Sequence, residues 1–300
     1  MLSQAAFFGL FLYLLMGAHY TGEDYIGSTV QRFFHFDPLL ALVTVVAGRL
    51  VYAYFAFALI TVAATVLFGR VFCGWVCPLG AVHQFASFAF KRTKFLKPPR
   101  EDKASLAPKY YILVAVLVGA VFGLDLAGYL DPLSFLTRSF SLAVLPSLAQ
   151  ALAAMNGALY GLGATGLART VSQALTNWTI HTTFAQGFTV GLFFLAAVGL
   201  NARKERFWCR YLCPTGALLG LLSRWNLLKL RIDDEACIKC GLCTQHCETQ
   251  ARPYPNEDWK SGECVYCMDC ASICPTAAIG FELSARPERL DNVSDVALGR

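Results

Sequence analysis

The chain has 300 residues, 56% of them apolar and only 15% charged, with a mean hydropathy of +0.50. That balance excludes an ordinary soluble enzyme and points to a membrane protein. The net charge of +5 is unevenly divided: residues 231–300 hold 12 of the 20 acids but 7 of the 25 bases, a net −5, so residues 1–230 carry +10.

Apolar segments recur along the chain. Ala5–His19 is short, lacks a basic leader and a clear small-residue cleavage site, and reads as an anchor rather than a signal peptide. Asp37-Pro38-Leu39 precedes Leu50–Phe68, 19 residues without a charge, and Cys73-x3-Cys77-Pro78 follows. Lys91–Lys109 then carries seven Lys or Arg. Tyr110–Leu130 is apolar but for Asp125, and Asp131-Pro132-Leu133 comes next. After an Ala/Gly-rich stretch at 150–168, Phe184–Leu200 leads to Cys209-x3-Cys213-Pro214 within a second basic region, Asn201–Arg231. The segments 20–49 and 131–183 contain only Arg32, Arg49, Arg138 and Arg169. Positive charge stays on the cytoplasmic side, which predicts four spans with both termini inside. A fifth crossing at 150–168 would place the second basic region outside. Nothing here suggests nucleic-acid binding, since the bases mark topology.

An internal repeat underlies this order. "GRVFCGWVCPLGAV" aligns with "ERFWCRYLCPTGAL", matching Arg70 with Arg206, Cys73 with Cys209, Cys77 with Cys213 and Pro78 with Pro214. "FDPLLALV" aligns with "LDPLSFLT". The Asp-Pro pairs lie 94 residues apart and the cysteine motifs 136, so the second half has 42 extra residues, expected outside. Duplicated membrane units commonly pack about a pseudo-two-fold axis, with function at their interface. One motif offers two thiols at i and i+4, on one helical face. Two motifs face to face offer four. Pro78 and Pro214 suit the first position of a helix, which puts Cys77 and Cys213 at N-caps where the helix end and the neighbouring Arg70 and Arg206 lower thiol pKa. Three readings stand for Cys73, Cys77, Cys209 and Cys213: a shared metal or iron–sulfur centre, redox-active dithiols, or structural cysteines.

The other eight cysteines form Cys237-x2-Cys240-x2-Cys243-x3-Cys247 and Cys264-x2-Cys267-x2-Cys270-x3-Cys274-Pro275. This is the bacterial two-cluster ferredoxin run, in which the fourth cysteine serves the other cluster. The expected 4Fe–4S ligand sets are Cys237, Cys240, Cys243 and Cys274, and Cys264, Cys267, Cys270 and Cys247. Zinc knuckles are the competing reading, but zinc sites rarely repeat a 2-2-3 spacing. A reducing cytoplasm disfavours disulfides. Glu248 stands where such a motif usually has proline.

Smaller features have plain readings beside functional ones. Asp125, the one acid in an expected span, is a candidate proton acceptor, or is simply solvated near the boundary. Asp37 and Asp131 shape a pocket at the outer face or cap helices. His19, His35 and His181 fall on the outer side, without the paired histidines of a bis-His haem; His83 and His246 read as ordinary polar residues. Trp75, Trp208 and Trp225 suit an interfacial belt. Gly216–Arg231 reads as an amphipathic surface helix, and the acidic tail is expected to lean on the basic loop Lys91–Lys109.

With these motifs the chain resembles the NapH/NosR-type membrane polyferredoxins over nearly its whole length, nearest to the NapH branch of quinol-oxidising components. Neither the outer FMN-binding domain of the NosR type nor the C-terminal β-sandwich of the CcoG/FixG type is expected in it. The expected fold is membrane all-α, four transmembrane helices as two repeats, with a C-terminal α+β dicluster ferredoxin domain. Its expected divisions are 1–109, 110–230 and 231–300. The resemblance implies a multi-pass protein of the inner membrane, its tail cytoplasmic, passing electrons between the quinone pool and other redox subunits. A CcoG-like reductase or assembly factor and a NosR-like regulatory protein are the rival functions.

Overall fold

The computed structural model describes residues 2–17, 30–49, 53–92, 106–163, 166, 169–170, 172, 186–255 and 259–284. His19, His181, the middle of the first basic loop and the chain after residue 284 lie outside the described residues. The protein is mostly helical and carries a small two-stranded sheet in its C-terminal part. It divides into two compact units, one of residues 1–134 with 198–300, the other of residues 135–197.

Apolar runs without proline in their interiors form the helices Leu2–Met16, Ala56–Phe68 and Pro108–Val121. Pro38–Gly48 begins at an Asp-Pro step, where Asp37 accepts the Leu39 and Leu40 amides and proline fills the first position. Asp131 does the same for Leu133 and Ser134 at the head of Pro132–Ser139. Leu39, Val43, Leu113, Val116, Ala120, Ala127 and Ala217 interlock as the core of the helical part.

The lengths differ from the sequence expectation. Among the described residues one helix is long and apolar enough to cross a membrane, Pro132–Gly161, and only 17% of its most apolar stretch is buried. It lies in the segment expected outside. The chain stays helical through Pro146 because a π-helical turn, Phe140–Val144, precedes the proline and takes up the missing amide bond. In the 135–197 unit this helix packs on Gly187–Gly199 through Phe135, Phe140, Phe193 and Phe194, with ring centroids 5.5–6.0 Å apart. The expected spans appear as shorter apolar helices.

A second correction concerns 216–231. The helix Pro214–Leu222 gives way to one tight turn, and Leu228–Ile232 is a strand paired antiparallel with Ile279–Leu283, Leu230 opposite Phe281. The alternation in "LKLRI" has period two, and Asn226 breaks the helix by donating to Leu228 O and to Tyr266 Oη. The strand therefore belongs to the tail, whose core gathers Leu230, Cys243, Ala251, Trp259, Tyr266 and Ile279.

Candidate cysteine centres

The two tail loops bend by the same device. A left-handed residue stands on each side of the middle cysteine: Lys239 and Gly241 around Cys240, Tyr266 and Met268 around Cys267. Each loop then enters a one-turn helix, Leu242–Gln245 or Asp269–Ser272, which carries the third cysteine. The fourth cysteine of each run crosses over. One pocket is lined by Cys237, Cys240, Cys243 and Cys274, the other by Cys247, Cys264, Cys267 and Cys270. Their remaining walls are largely apolar, with Ile238, Leu242 and Ile279 in the first and Leu230, Val265 and Phe281 in the second.

The Cys-x3-Cys-Pro motifs are also built alike. Each closes with a backbone bond five residues long, Cys77 N–H to Phe72 O at 2.8 Å and Cys213 N–H to Trp208 O at 2.9 Å. This π-type turn ejects the second cysteine from the helix into extended backbone, so the thiols do not share one helical face as expected. Cys213 instead caps the helix Pro214–Leu222, its Sγ accepting the Gly216 N–H at 3.2 Å. The four thiols lie close enough to perturb one another. Burial pushes Cys77 and Cys213 well above the usual thiol range, and Cys73 and Cys209 push both further. Burial lifts Cys209 to about 11, against the pull of Arg206. The helix-end amides lower Cys77 and Cys213 as foreseen, but desolvation wins.

In the tail, burial carries Cys267 and Cys270 up to about 12. Such thiols stay protonated unless a cation replaces their protons, which suits soft metal ligation. Among the described residues no three His, Cys, Asp or Glu side chains close on a point that would hold a single metal ion. In the tail, four soft thiols converge on each of two largely apolar pockets, a donor set that suits a polynuclear iron–sulfur group.

The second tail loop is docked on the first motif. Trp75 Nε1 donates to Tyr266 O at 2.8 Å. A Cβ at Gly74 would collide with Val265 O, and one at Gly69, where φ is +79°, with the Tyr266 ring. Arg70 donates to Gly262 O at 2.9 Å and to Glu263 at 3.3 Å, and Lys109 Nζ lies 2.5 and 2.6 Å from the Glu263 oxygens. The basic loop thus meets the tail at Lys109. On the other side Arg206 Nε donates to Glu248 Oε2 at 2.8 Å, and its Nη2 to Gln84 at 2.9 Å. Each arginine leans over the helix that follows the other motif: Arg70 approaches Gly216, Arg206 approaches Gly80. Arg70, Arg206, Lys109, Glu248 and Glu263 are all buried.

In the sequence Glu248 stood out only as a departure from the usual proline, and Glu263 did not stand out at all. Glu263 precedes Cys264 and Glu248 follows Cys247, so both flank cysteines of the second pocket, and Glu248 occupies its unusual place because Arg206 needs a partner. The signal was available in two motif arginines beside buried cysteines, each requiring an anion.

Other residues fall differently from expectation. Trp208 is buried rather than interfacial, while Trp75 and Trp225 are exposed. His83 is fully buried, paired with Asn201 at 2.6 Å, and burial together with Arg206 lowers it to about 4, so it is neutral. His35 stacks on Tyr54 at 4.6 Å, and His246 meets Leu242 O. Asp125 is exposed and accepts the Gly128 N–H at 2.9 Å.

Comparison with known proteins agrees with this chemistry. A family model described as a 4Fe–4S binding domain matches twice, over 50–95 and 186–233, and a second 4Fe–4S binding domain model matches 230–252. The chain is 28% identical to the ferredoxin-type protein NapH of Haemophilus influenzae, over 82% of this chain and 74% of that protein. It is 26% identical to the methylamine utilization ferredoxin-type protein MauN of Methylorubrum extorquens, over 70% of this chain and 59% of that one. The regulatory protein NosR of Pseudomonas aeruginosa is 30% identical over 70% of this chain, which spans 24% of that protein. No solved structure matches. The paired cysteine motifs, the interleaved four-thiol pockets and these relatives together identify the chain as a ferredoxin-type 4Fe–4S electron-transfer protein related to NapH, MauN and NosR.

Proposed function

We propose that the chain is a membrane-bound subunit of the quinol dehydrogenase type, exchanging electrons between membrane quinol and a redox partner. The observation that carries this reading is the docking of the second four-thiol pocket on the paired Cys-x3-Cys-Pro motifs. In this reading Cys237, Cys240, Cys243 and Cys274 hold one 4Fe–4S cluster, and Cys247, Cys264, Cys267 and Cys270 the other. Cys73, Cys77, Cys209 and Cys213 hold a third iron–sulfur or metal centre. When bound, such groups supply one-electron exchange at potentials set by their surroundings. The chain's own part is to fix the distances: Trp75, Arg70 and Arg206 clamp the tail so that the thiol sites stay in series.

Four spans arranged as two repeats, residues 1–109 and 110–230, with residues 231–300 as a cytoplasmic ferredoxin domain, agree with the basic loops and with the twofold family match. Outward apolar side chains such as Leu59, Val118 and Leu195, each at least half exposed, suit lipid contact. Asp125 is the exposed acid available to a quinol proton. The test is to reconstitute the anaerobically purified protein in vesicles, add a reduced quinone analogue and follow iron–sulfur absorbance. Bleaching supports the reading; no bleaching, in protein that dithionite does bleach, overturns it.

A further inference from the structure

A second buried centre lies outside the cysteines. Asp37 and Asp131 hold corresponding places in the two halves, and both are 0% exposed. Each spends one oxygen on a helix cap: Asp37 Oδ1 accepts from Leu39 and Leu40 at 2.9 and 3.3 Å, Asp131 Oδ2 from Leu133 and Ser134 at 3.0 and 3.1 Å. The other oxygen of Asp131 accepts from Thr215 Oγ1 at 2.7 Å. The other oxygen of Asp37 is buried and, among the described residues, meets no N–H or O–H donor. The side chain beside Asp37 is that of Asp131, brought there because the helices Pro38–Gly48 and Ala127–Leu130 pack together.

Two ionised carboxylates repel strongly in a buried site, and neither can donate. Among the described residues no counter-ion stands against the pair, and His35, two residues before Asp37, stacks on Tyr54. The surrounding helices Pro38–Gly48, Ala56–Phe68, Ala127–Leu130 and Pro214–Leu222 contain no charged residue. Pro108–Val121 contributes Lys109, held by Glu263, together with Tyr110 and the exposed Tyr111, and Pro132–Ser139 carries Arg138 in its last turn. A contact between two carboxyl groups under these conditions needs a hydrogen on one of them. We infer that Asp37 and Asp131 form one proton-binding site, in which an acid O–H of one residue donates to the carboxylate of the other across the two halves of the molecule.

The pair deepens the quinol reading and rests on it for its role. Oxidation of one quinol releases two electrons and two protons. The pair, carrying one proton and a charge of −1, takes one of the two and becomes neutral; the other passes to water, and the pair then returns its extra proton to water. Thr215 ties this site to the second cysteine motif, since it lies two residues after Cys213 and donates to Asp131.

The test is infrared spectroscopy of the full-length protein in detergent, in H₂O and D₂O, with iron content as the check on folding. The inference predicts a protonated-carboxyl C=O band that shifts in D₂O, lost in Asp37→Asn and in Asp131→Asn, retained in Asp125→Asn, and moved in Thr215→Val. Asparagine keeps the volume of aspartate and supplies a permanent donor, so both amide variants should keep their iron. No such band in the native protein, or a band surviving both amide substitutions, overturns the site. Quinol-driven bleaching in the same samples is read separately: its absence in protein that shows the band overturns the quinol role and leaves the proton site standing.

Discussion

Arg206 Nε lies 2.8 Å from Glu248 Oε2, joining the residue three before Cys209 to the residue after Cys247. The bond is buried at both ends, so losing one partner strands a charge. Arg206→Ala or Glu248→Gln should destabilise the folded protein by about 3–5 kcal/mol, the range for a broken buried pair. Arg206→Lys should not restore it, because one ammonium cannot serve Glu248 and Gln84 in the geometry of the guanidinium fork. Chemical denaturation of the three variants checks both statements.

Close approach at Gly74 gives a second prediction. A methyl group there meets the Val265 carbonyl, and backbone cannot yield as a side-chain tip can. Gly74→Ala should loosen the tail from the first motif at a cost on the order of 1–3 kcal/mol, while tail iron is kept. Faster proteolysis near residues 223–227 with unchanged tail iron is the expected result; unchanged proteolysis contradicts the docking.

The thiols supply a pH dependence. A thiol whose folded value lies above its ordinary value of 9.0 favours the metal-free fold below that pH and loses the contribution as pH rises through the folded value, about 11 for Cys209. Metal-free protein should therefore lose stability between about pH 9 and 11, and metal-loaded protein, its thiols already ionised, should be flat across that window. Unfolding midpoints of the two forms against pH decide the matter.

Where the tail begins is a further test. Because strand Leu228–Ile232 pairs along its whole length with Ile279–Leu283, a fragment starting at 231 loses three of five paired residues. A fragment of residues 226–300 should bind about eight irons as two cubanes. The fragment of residues 231–300 should bind fewer or lose them faster. Equal iron in both would show the strand to be dispensable.

The sites were more legible in the sequence than the path of the chain. Fixed spacing announces the tail loops because x2 intervals leave little freedom in how three thiols converge, and the fourth cysteine of each run lines the other run's pocket. Asp37 and Asp131 were legible as caps from their prolines. Their meeting was not, because it depends on how the two halves pack. The stretch 150–168 was set aside as a span on the positions of the basic regions alone, and the continuity of Pro132–Gly161 was not legible because a π-turn that absorbs a proline leaves no signature in composition. Gly216–Arg231 looked helical because its leucines satisfy both periods, and only the partner strand selects the shorter one.

The central claim is that Cys73, Cys77, Cys209 and Cys213 act as one site feeding a tail docked beside it. The most direct measurement compares total iron and quinol-driven bleaching of the tail signals in Cys73→Ser, Cys209→Ser and the double variant, all in membranes. The account predicts that all three lose quinol-driven bleaching to the same extent, a non-additivity expected of residues that work as a unit, while the tail keeps its about eight irons. Equal loss of iron beyond the tail's share identifies a metal centre. Partial losses in the single variants that sum to the loss in the double variant would contradict the shared site.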